Sequence, residues 1–170
     1  KKNLGYGRAV NCGSKLVKTK YFLAINPDTK INELSIKNLI KAANQIKKFG
    51  SICADHIKNK IKKKKKIIIE KKSLFGAAML FNTKIFKKIK DFDENIFLYY
   101  EENDFFTKCN IQNHKLYLIK NSFFDHSLKG DSTSAVEQNK KEKFYSYLIS
   151  GWHGQWSKFY YHKKYNGNIY

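Results

Sequence analysis

The chain has 170 residues, enough for one domain built on a single core. A hydrophobic content of 42% and an aromatic content of 15% exclude a disordered polyelectrolyte, despite a formal net charge of +20. That charge is lysine almost throughout, with Arg8 the sole arginine, which argues against a nucleic-acid reader relying on bidentate and stacking arginine contacts.

Lysine accompanied by many Ile and Asn residues reads as a compositional bias of the source, though it is compatible with an anionic membrane surface. Cys12, Cys53 and Cys109 are odd in number and widely spaced, with no CxxC or Cys/His zinc spacing. The expectation is reduced thiols in a cytoplasmic protein, with the inner face of the membrane as a second location. No apolar run approaches the ~20 residues of a membrane span, and no signal peptide is visible. The chain opens on Lys1-Lys2 directly before a motif, so the expectation is a piece of a longer protein.

Asn3-Leu4-Gly5-Tyr6-Gly7 makes a tight turn, and Ala9, Val10, Cys12, Leu16 and Val17 follow at helical spacing. A glycine turn feeding a helix can hold a phosphate on backbone N–H groups. It reads equally as a structural turn, since it lacks the glycine spacing of a dinucleotide fingerprint or a P-loop. Tyr21-Phe22-Leu23-Ala24-Ile25 reads as a strand buried on both faces, ending at Asn26-Pro27-Asp28-Thr29. Pro27, the only proline, fixes a turn at the strand's carboxyl end, where open α/β sheets bind ligands. Asp28 can hold a metal or a sugar-phosphate there, or simply cap the next helix.

Residues 33–49 are predicted as an amphipathic helix with Leu34, Leu39, Ile40, Ala43 and Ile46 on its apolar stripe and Gly50 as its stop. Ser51 to Ile57 reads as a strand, Lys58 to Lys66 as a solvated loop or hairpin tip, and Ile67 to Ile69 as a returning strand. In Phe75-Gly76-Ala77-Ala78-Met79-Leu80-Phe81 the small residues allow close approach of another backbone or a ligand ring. Asn82 or Thr83 caps a short helix, Lys84 to Ile89.

The segment from Asp91 to Asp104 holds six of the 14 acidic residues. Like charges this close raise each other's pKa. They suit either the acidic first turn of a helix or a site that moves protons. A helix from about Glu101 to Asn113 puts Glu101 and Asp104 on one side and lets Phe105 and Phe106 pack inward. Lys115 to Lys120 reads as a strand. His126, at a strand end before a polar loop, is a metal ligand or a hydrogen-bonded structural histidine. Glu137 to Tyr165 reads as a basic, aromatic helix, suited to an interfacial membrane contact or to a packing arm.

The motifs fall in a recognisable order: Asn3-x-Gly5-Tyr6-Gly7-x-Ala9-x-Asn11-x-Gly13, Asn26-Pro27-Asp28, Gly76-Ala77-Ala78-Met79-Leu80, Phe92-Asp93-Glu94-x-x-Phe97-Leu98-Tyr99-x-Glu101-Glu102-x-Asp104, and His126 before Gly130-x-Ser132. Together they resemble a family 2 glycosyltransferase of the rhamnosyltransferase-like branch, over about residues 3 to 134. The resemblance implies an α/β, GT-A type, Rossmann-like sandwich with a mostly parallel central sheet. It divides the chain into a partial GT-A domain, 1–134, whose first strands would precede Lys1, and a helical C-terminal extension, 135–170.

It also implies roles. Asp28 and His126 would hold Mg²⁺ or Mn²⁺ on the donor diphosphate, with Asn26 standing where the metal motif has its first acid. Asn3, Gly5, Asn11, Asn26, Gly76 and Ala77 would line the donor, and Tyr99 and Tyr100 the acceptor side. Glu102 would be the base, with Glu101 beside it and Asp104 bracing the helix, in an inverting transfer. The partners implied are a nucleotide-sugar donor and a glycan or lipid-linked acceptor of bacterial surface polysaccharide synthesis, and no nucleic acid. Two other classes stay open: a non-catalytic sugar-binding remnant of the same fold, and a basic nucleic-acid-binding domain, which the arginine count disfavours.

Overall fold

The computed structural model describes residues 3–57, 66–126 and 140–167. Most of the Lys58 to Lys66 run, the Gly130-x-Ser132 motif and the first residues of the aromatic tail lie outside them. The elements in chain order are α1 (Tyr6–Leu16), β1 (Tyr21–Ile25), β2 (Lys30–Ile31), α2 (Glu33–Gln45), β3 (Ser51–His56), β4 (Ile68–Lys71), β5 (Ala78–Asn82), α3 (Thr83–Lys88), α4 (Glu101–Ile111), β6 (Leu116–Asp125) and α5 (Lys140–Asn166).

The sheet has six strands in the order β1-β5-β3-β6-β2, with β4 also on β6. It is mixed, not mostly parallel. β1, β3 and β6 run the same way, but β5 returns between β1 and β3 and is antiparallel to both. β3 and β6 form the parallel pair. β6 has ten residues, long enough to carry β4 along Leu116–Ile119 and β2 at Phe124–Asp125, both antiparallel. The three short return strands therefore reverse the expected sheet.

β6 also outruns its predicted end at Lys120. Its register with β3 shifts between Ala54, opposite Ile119, and Asp55, opposite Phe123, so the strand bulges and the sheet curls. Polar Asn121 and Ser122 read as a strand end, yet α2 holds them in the sheet. Asn38 donates to the Asn121 carbonyl at 2.6 Å, Ser122 Oγ donates to the Ser35 carbonyl at 2.8 Å, and Phe123 N–H donates to Ser35 Oγ at 2.9 Å.

Those bonds rotate α2 away from its predicted face. Ser35, Leu39, Ala42 and Ala43 are buried, while Leu34 and Ile40 are exposed. Asn32 caps the helix by accepting from Ser35 N–H at 2.8 Å, and Ile46, not Gly50, ends it. Gly50 instead opens β3, where its bare Cα lies against Cys109 Sγ. β1 is half-buried because it pairs with β5 on one side only, leaving Ile25 exposed.

The core centres on Phe81, which meets Phe22 and Phe86 at 5.0 Å, Phe105 at 5.1 Å and Phe92 at 5.8 Å between ring centroids. Edge-to-face contacts of this kind add to the gain from area burial. Phe92 and Phe105 flank the acidic stretch, so the aromatic cluster is what seats that stretch on the sheet. Phe81→Ala is expected to cost about 3–5 kcal/mol in urea denaturation; a cost below about 1 kcal/mol would place the core elsewhere.

Candidate active site

β1 and β6 end, and β5 begins, at the same edge of the sheet. Strand direction brings Asn26 and Phe75–Ala77 to this edge, and the pairing of β2 with the end of β6, Lys30 opposite Asp125, carries Asp28 across to His126. The turn after β1 is closed by Thr29 N–H donating to the Asn26 carbonyl at 3.0 Å, and Asn26 N–H donates to the Ala77 carbonyl at 3.0 Å. Asp28 Oδ1 lies 3.1 Å from His126 Nε2. The His126 ring stands edge-on to Phe75 at 5.8 Å, Phe75 stacks on Phe124 at 5.7 Å, and the Cys53 thiol donates to the Phe75 carbonyl at 3.1 Å.

Gly76 completes the junction. A Cβ built there would overlap Glu102 Oε1 and come within 2.7 Å of Glu102 Cδ. Phe75, Gly76 and Ala77 therefore touch His126, Glu102 and Asn26 in turn. The residues expected to hold a metal and the residue expected to act as base meet across three consecutive residues.

The pair Asp28 and His126 suits a divalent cation. His126 Nε2 is buried without an aligned hydrogen-bond partner, although it faces Asp28 Oδ1. An octahedral ion with bonds of about 2.1 Å spaces adjacent ligands by about 3.0 Å, close to the separation found. A carboxylate favours Mg²⁺ or Mn²⁺, and the imidazole tilts the set toward the transition metal. Two protein ligands leave the rest of the shell to phosphate oxygens and water. Among the described residues, no group of three or more His, Cys, Asp or Glu side chains is disposed to hold an ion.

Glu101 and Glu102 open α4 but face differently. Glu101 is buried beneath α1, where a Cβ on Gly7 would lie 3.6 Å from its own, and its Oε2 has no hydrogen-bond partner. Glu102 is half-buried and lies against Gly76. Burial raises the pKa of both carboxyls, and the charge of Glu102 raises Glu101 further. The neighbouring Tyr6 hydroxyl, also buried without a partner, is pushed up by burial and then by the two glutamates.

Other expected site residues take structural places. Asp104 is wholly buried and turned toward α5: its carboxylate meets Lys164 Nζ at 2.5 Å, the Tyr165 hydroxyl at 2.7 Å and Lys108 Nζ at 3.0 Å. Asn11, expected to line the donor, is buried with its amide in use. Its Nδ2 donates to the Phe92 carbonyl at 3.0 Å and to Glu94 at 3.3 Å, and its Oδ1 accepts from Phe92 N–H at 3.0 Å. It ties α1 to the acidic stretch because a buried amide needs all its partners. Asn3 Oδ1 accepts from Gly5 N–H at 3.0 Å. Gly5 has φ +77°, and its Cα lies against the Phe97 carbonyl, so a side chain there is excluded twice over.

Tyr99 and Tyr100 enter α4 in the left-handed region, at φ +63° and +69°. Two successive non-glycine residues there store strain, a feature that clusters at functional sites. Tyr99 is exposed, with Gly154 of α5 against its ring, whereas Tyr100 packs on Tyr161 at 5.3 Å. Sequence reasoning missed Phe75 and Lys164. No periodicity marks the first, and the second is one of 34 basic residues.

The chain is similar to solved structures. A crystal structure of GalNAc-T7 with UDP, GalNAc and Mn²⁺ superposes with a TM-score of 0.62 at 10% identity, covering 74% of this chain and 31% of that one. The chain shares the GT-A glycosyltransferase fold. No family model and no curated protein matches the sequence. The GT-A sheet is here a mixed one, and the chain spans about a third of the GalNAc-T7 chain. Among the described residues, no helix is long and apolar enough to cross a membrane.

The raised carboxyl of Glu101 carries a signed consequence for stability. A carboxyl whose pKa rises on folding binds its proton more tightly folded than unfolded, so stability falls as pH climbs from 4.5 through the folded value. Glu101→Gln removes that penalty. Its melting temperature should exceed wild type by a margin that widens as pH rises above 4.5 and closes below it, about 2–4 °C per kcal/mol relieved. A margin constant with pH, read by differential scanning calorimetry, would show that Glu101 is not the group desolvated.

Proposed function

We propose that the chain is the catalytic part of a nucleotide-sugar glycosyltransferase. One observation carries the reading: Phe75-Gly76-Ala77 joins the Asp28–His126 pair to Glu102 at the ligand-binding edge of a GT-A sheet. The solved neighbour with UDP, GalNAc and Mn²⁺ supports a nucleotide-sugar donor and a divalent ion. The motif resemblance supports the finer reading, an inverting family 2 enzyme of the rhamnosyltransferase-like branch acting on a glycan or lipid-linked acceptor.

Asp28 and His126 would hold Mn²⁺ or Mg²⁺, which offsets charge on the departing diphosphate. Gly76 and Ala77 form a wall without side-chain bulk, so the donor sugar can lie close to the backbone. Glu102 rests against that wall at Gly76. It is largely buried but not sealed off, and its pKa, raised by burial, favours accepting a proton as an acceptor hydroxyl attacks. Attack from the side of Glu102, opposite the leaving diphosphate, inverts the anomeric centre. Glu101, buried beneath α1, takes no part at the reacting atoms. The motif resemblance assigns the exposed Tyr99 to the acceptor side.

Thermal shift with a panel of nucleotide sugars, with and without Mn²⁺, tests donor binding. The expected stabilisation requires the ion and is stronger with Mn²⁺ than with Mg²⁺. Asp28→Asn should lose the ion dependence. Glu102→Gln should keep it while lowering sugar transfer about 10²–10⁴-fold. Transfer by Glu102→Gln at the wild-type rate would remove Glu102 as base; donor binding indifferent to the ion and to Asp28 would remove the metal site.

A further inference from the structure

Helix α5 is amphipathic with its faces reversed. The side packed on the domain carries the polar groups: Ser157 Oγ donates to the Leu98 carbonyl at 2.8 Å, the Tyr160 hydroxyl donates to Asp93 at 3.0 Å, and Lys164 Nζ reaches Asp93 at 2.6 Å. The Tyr161 hydroxyl lies 2.7 Å from Thr107 Oγ1, and the His153 ring lies 4.4 Å from that of Phe97. The acidic stretch draws the polar side of the helix inward. The apolar side is left outward.

That outward side is continuous. Tyr145, Leu148, Ile149, Trp152, Trp156 and Phe159 recur at three- and four-residue intervals and are exposed, Trp152 by 67% and Phe159 by 53%. Such a stripe is wider than scattered surface hydrophobics on a monomer. Lys158 and Lys163 flank it, and Lys163 Nζ sits 6.0 Å over the Phe159 ring. From Phe144 to Gly167 there is no acidic residue.

We propose that this face of α5 docks in the plane of an anionic phospholipid surface. The charge decides the occupant. A chain of +20 repels a second copy of itself, and a helical stretch bearing lysines and free of acids from Phe144 on is complementary to anionic headgroups. Tryptophan and tyrosine favour the headgroup level, where the ring is buried and its N–H or O–H stays wet. A stripe about 100° wide, with Lys163 one turn beyond Phe159 at its end and Lys158 to one side, suits a helix lying in the interface, not crossing it. The proposal is independent of the sugar chemistry.

The chain contains two tryptophans, and both lie on this face, so intrinsic fluorescence reports on it alone. The test mixes the full chain with phosphatidylcholine vesicles with and without phosphatidylglycerol. Expected is a blue shift and quenching by brominated acyl chains with the anionic vesicles only, weakened by salt. Trp152→Glu with Phe159→Glu, both at exposed positions, should keep the wild-type melting temperature and lower vesicle binding by at least about tenfold in co-sedimentation. Lys158→Glu with Lys163→Glu should act in the same direction. Three results would overturn the proposal: adsorption without any change in tryptophan emission, vesicle binding untouched by the double substitutions, or a concentration-dependent dimer that the Trp152 and Phe159 substitutions dissolve.

Discussion

A buried carboxylate holds this molecule together. Asp104 is 0% exposed, and a charge in that position costs several kcal/mol unless it is paired and hydrogen-bonded. Lys108 from its own helix and Lys164 and Tyr165 from α5 supply the partners. Lys164 also reaches Asp93, so one ammonium joins two acids of the same stretch. Burial opposes its charge, but the bonds and charges of Asp104 and Asp93 outweigh burial and hold its pKa up. Burial likewise raises Asp93, and the bonds from Lys164 and Asn95 outweigh it and bring its pKa down. The acidic stretch, repulsive on its own, becomes a socket for the C-terminal helix.

That socket fixes where the chemistry stands. From the opposite side, Asn11 grips the backbone of Phe92, and Arg8 Nε donates to the Glu94 carbonyl at 2.8 Å. Clamped by α1 and α5, the chain between must turn through the left-handed conformations of Tyr99 and Tyr100 to start α4. The first turn of α4 then bears on Gly76, which has no side chain to keep Glu102 away. Electrostatic anchoring, backbone strain and a missing Cβ thus act in series to place one carboxylate across from Asp28 and His126. The same anchoring turns the polar side of α5 inward and exposes its aromatic side.

Local features were legible from the residues. The bounds of β1, the Asn82 cap of α3, the start of α4 at Glu101 and the helical tail all follow from apolar runs, capping side chains and periodicity. Strand direction was not. An apolar run such as Ala78–Phe81 carries no sign of which way it enters a sheet, so a mixed sheet reads as a parallel one. The end of β6 was misjudged because Asn121 and Ser122 look like a turn until Ser35 and Asn38 of α2 are seen to bind them. In the site, Asp28 and His126 are linked by motif order and not by spacing. Motif order puts Asn11 at the donor, whereas its amide is taken up by distant Phe92 and Glu94. Contacts between residues far apart in the chain decide all three cases.

Anomalous diffraction from crystals of the full chain grown with Mn²⁺ and a nucleoside diphosphate bears most directly on the central claim, that the cation pair and the base share one cleft. A single strong peak is predicted between Asp28 and His126, with diphosphate oxygens in its shell and the nucleotide seated against Gly76 beside Glu102. Manganese bound elsewhere, or a nucleotide seated away from Gly76, would contradict it.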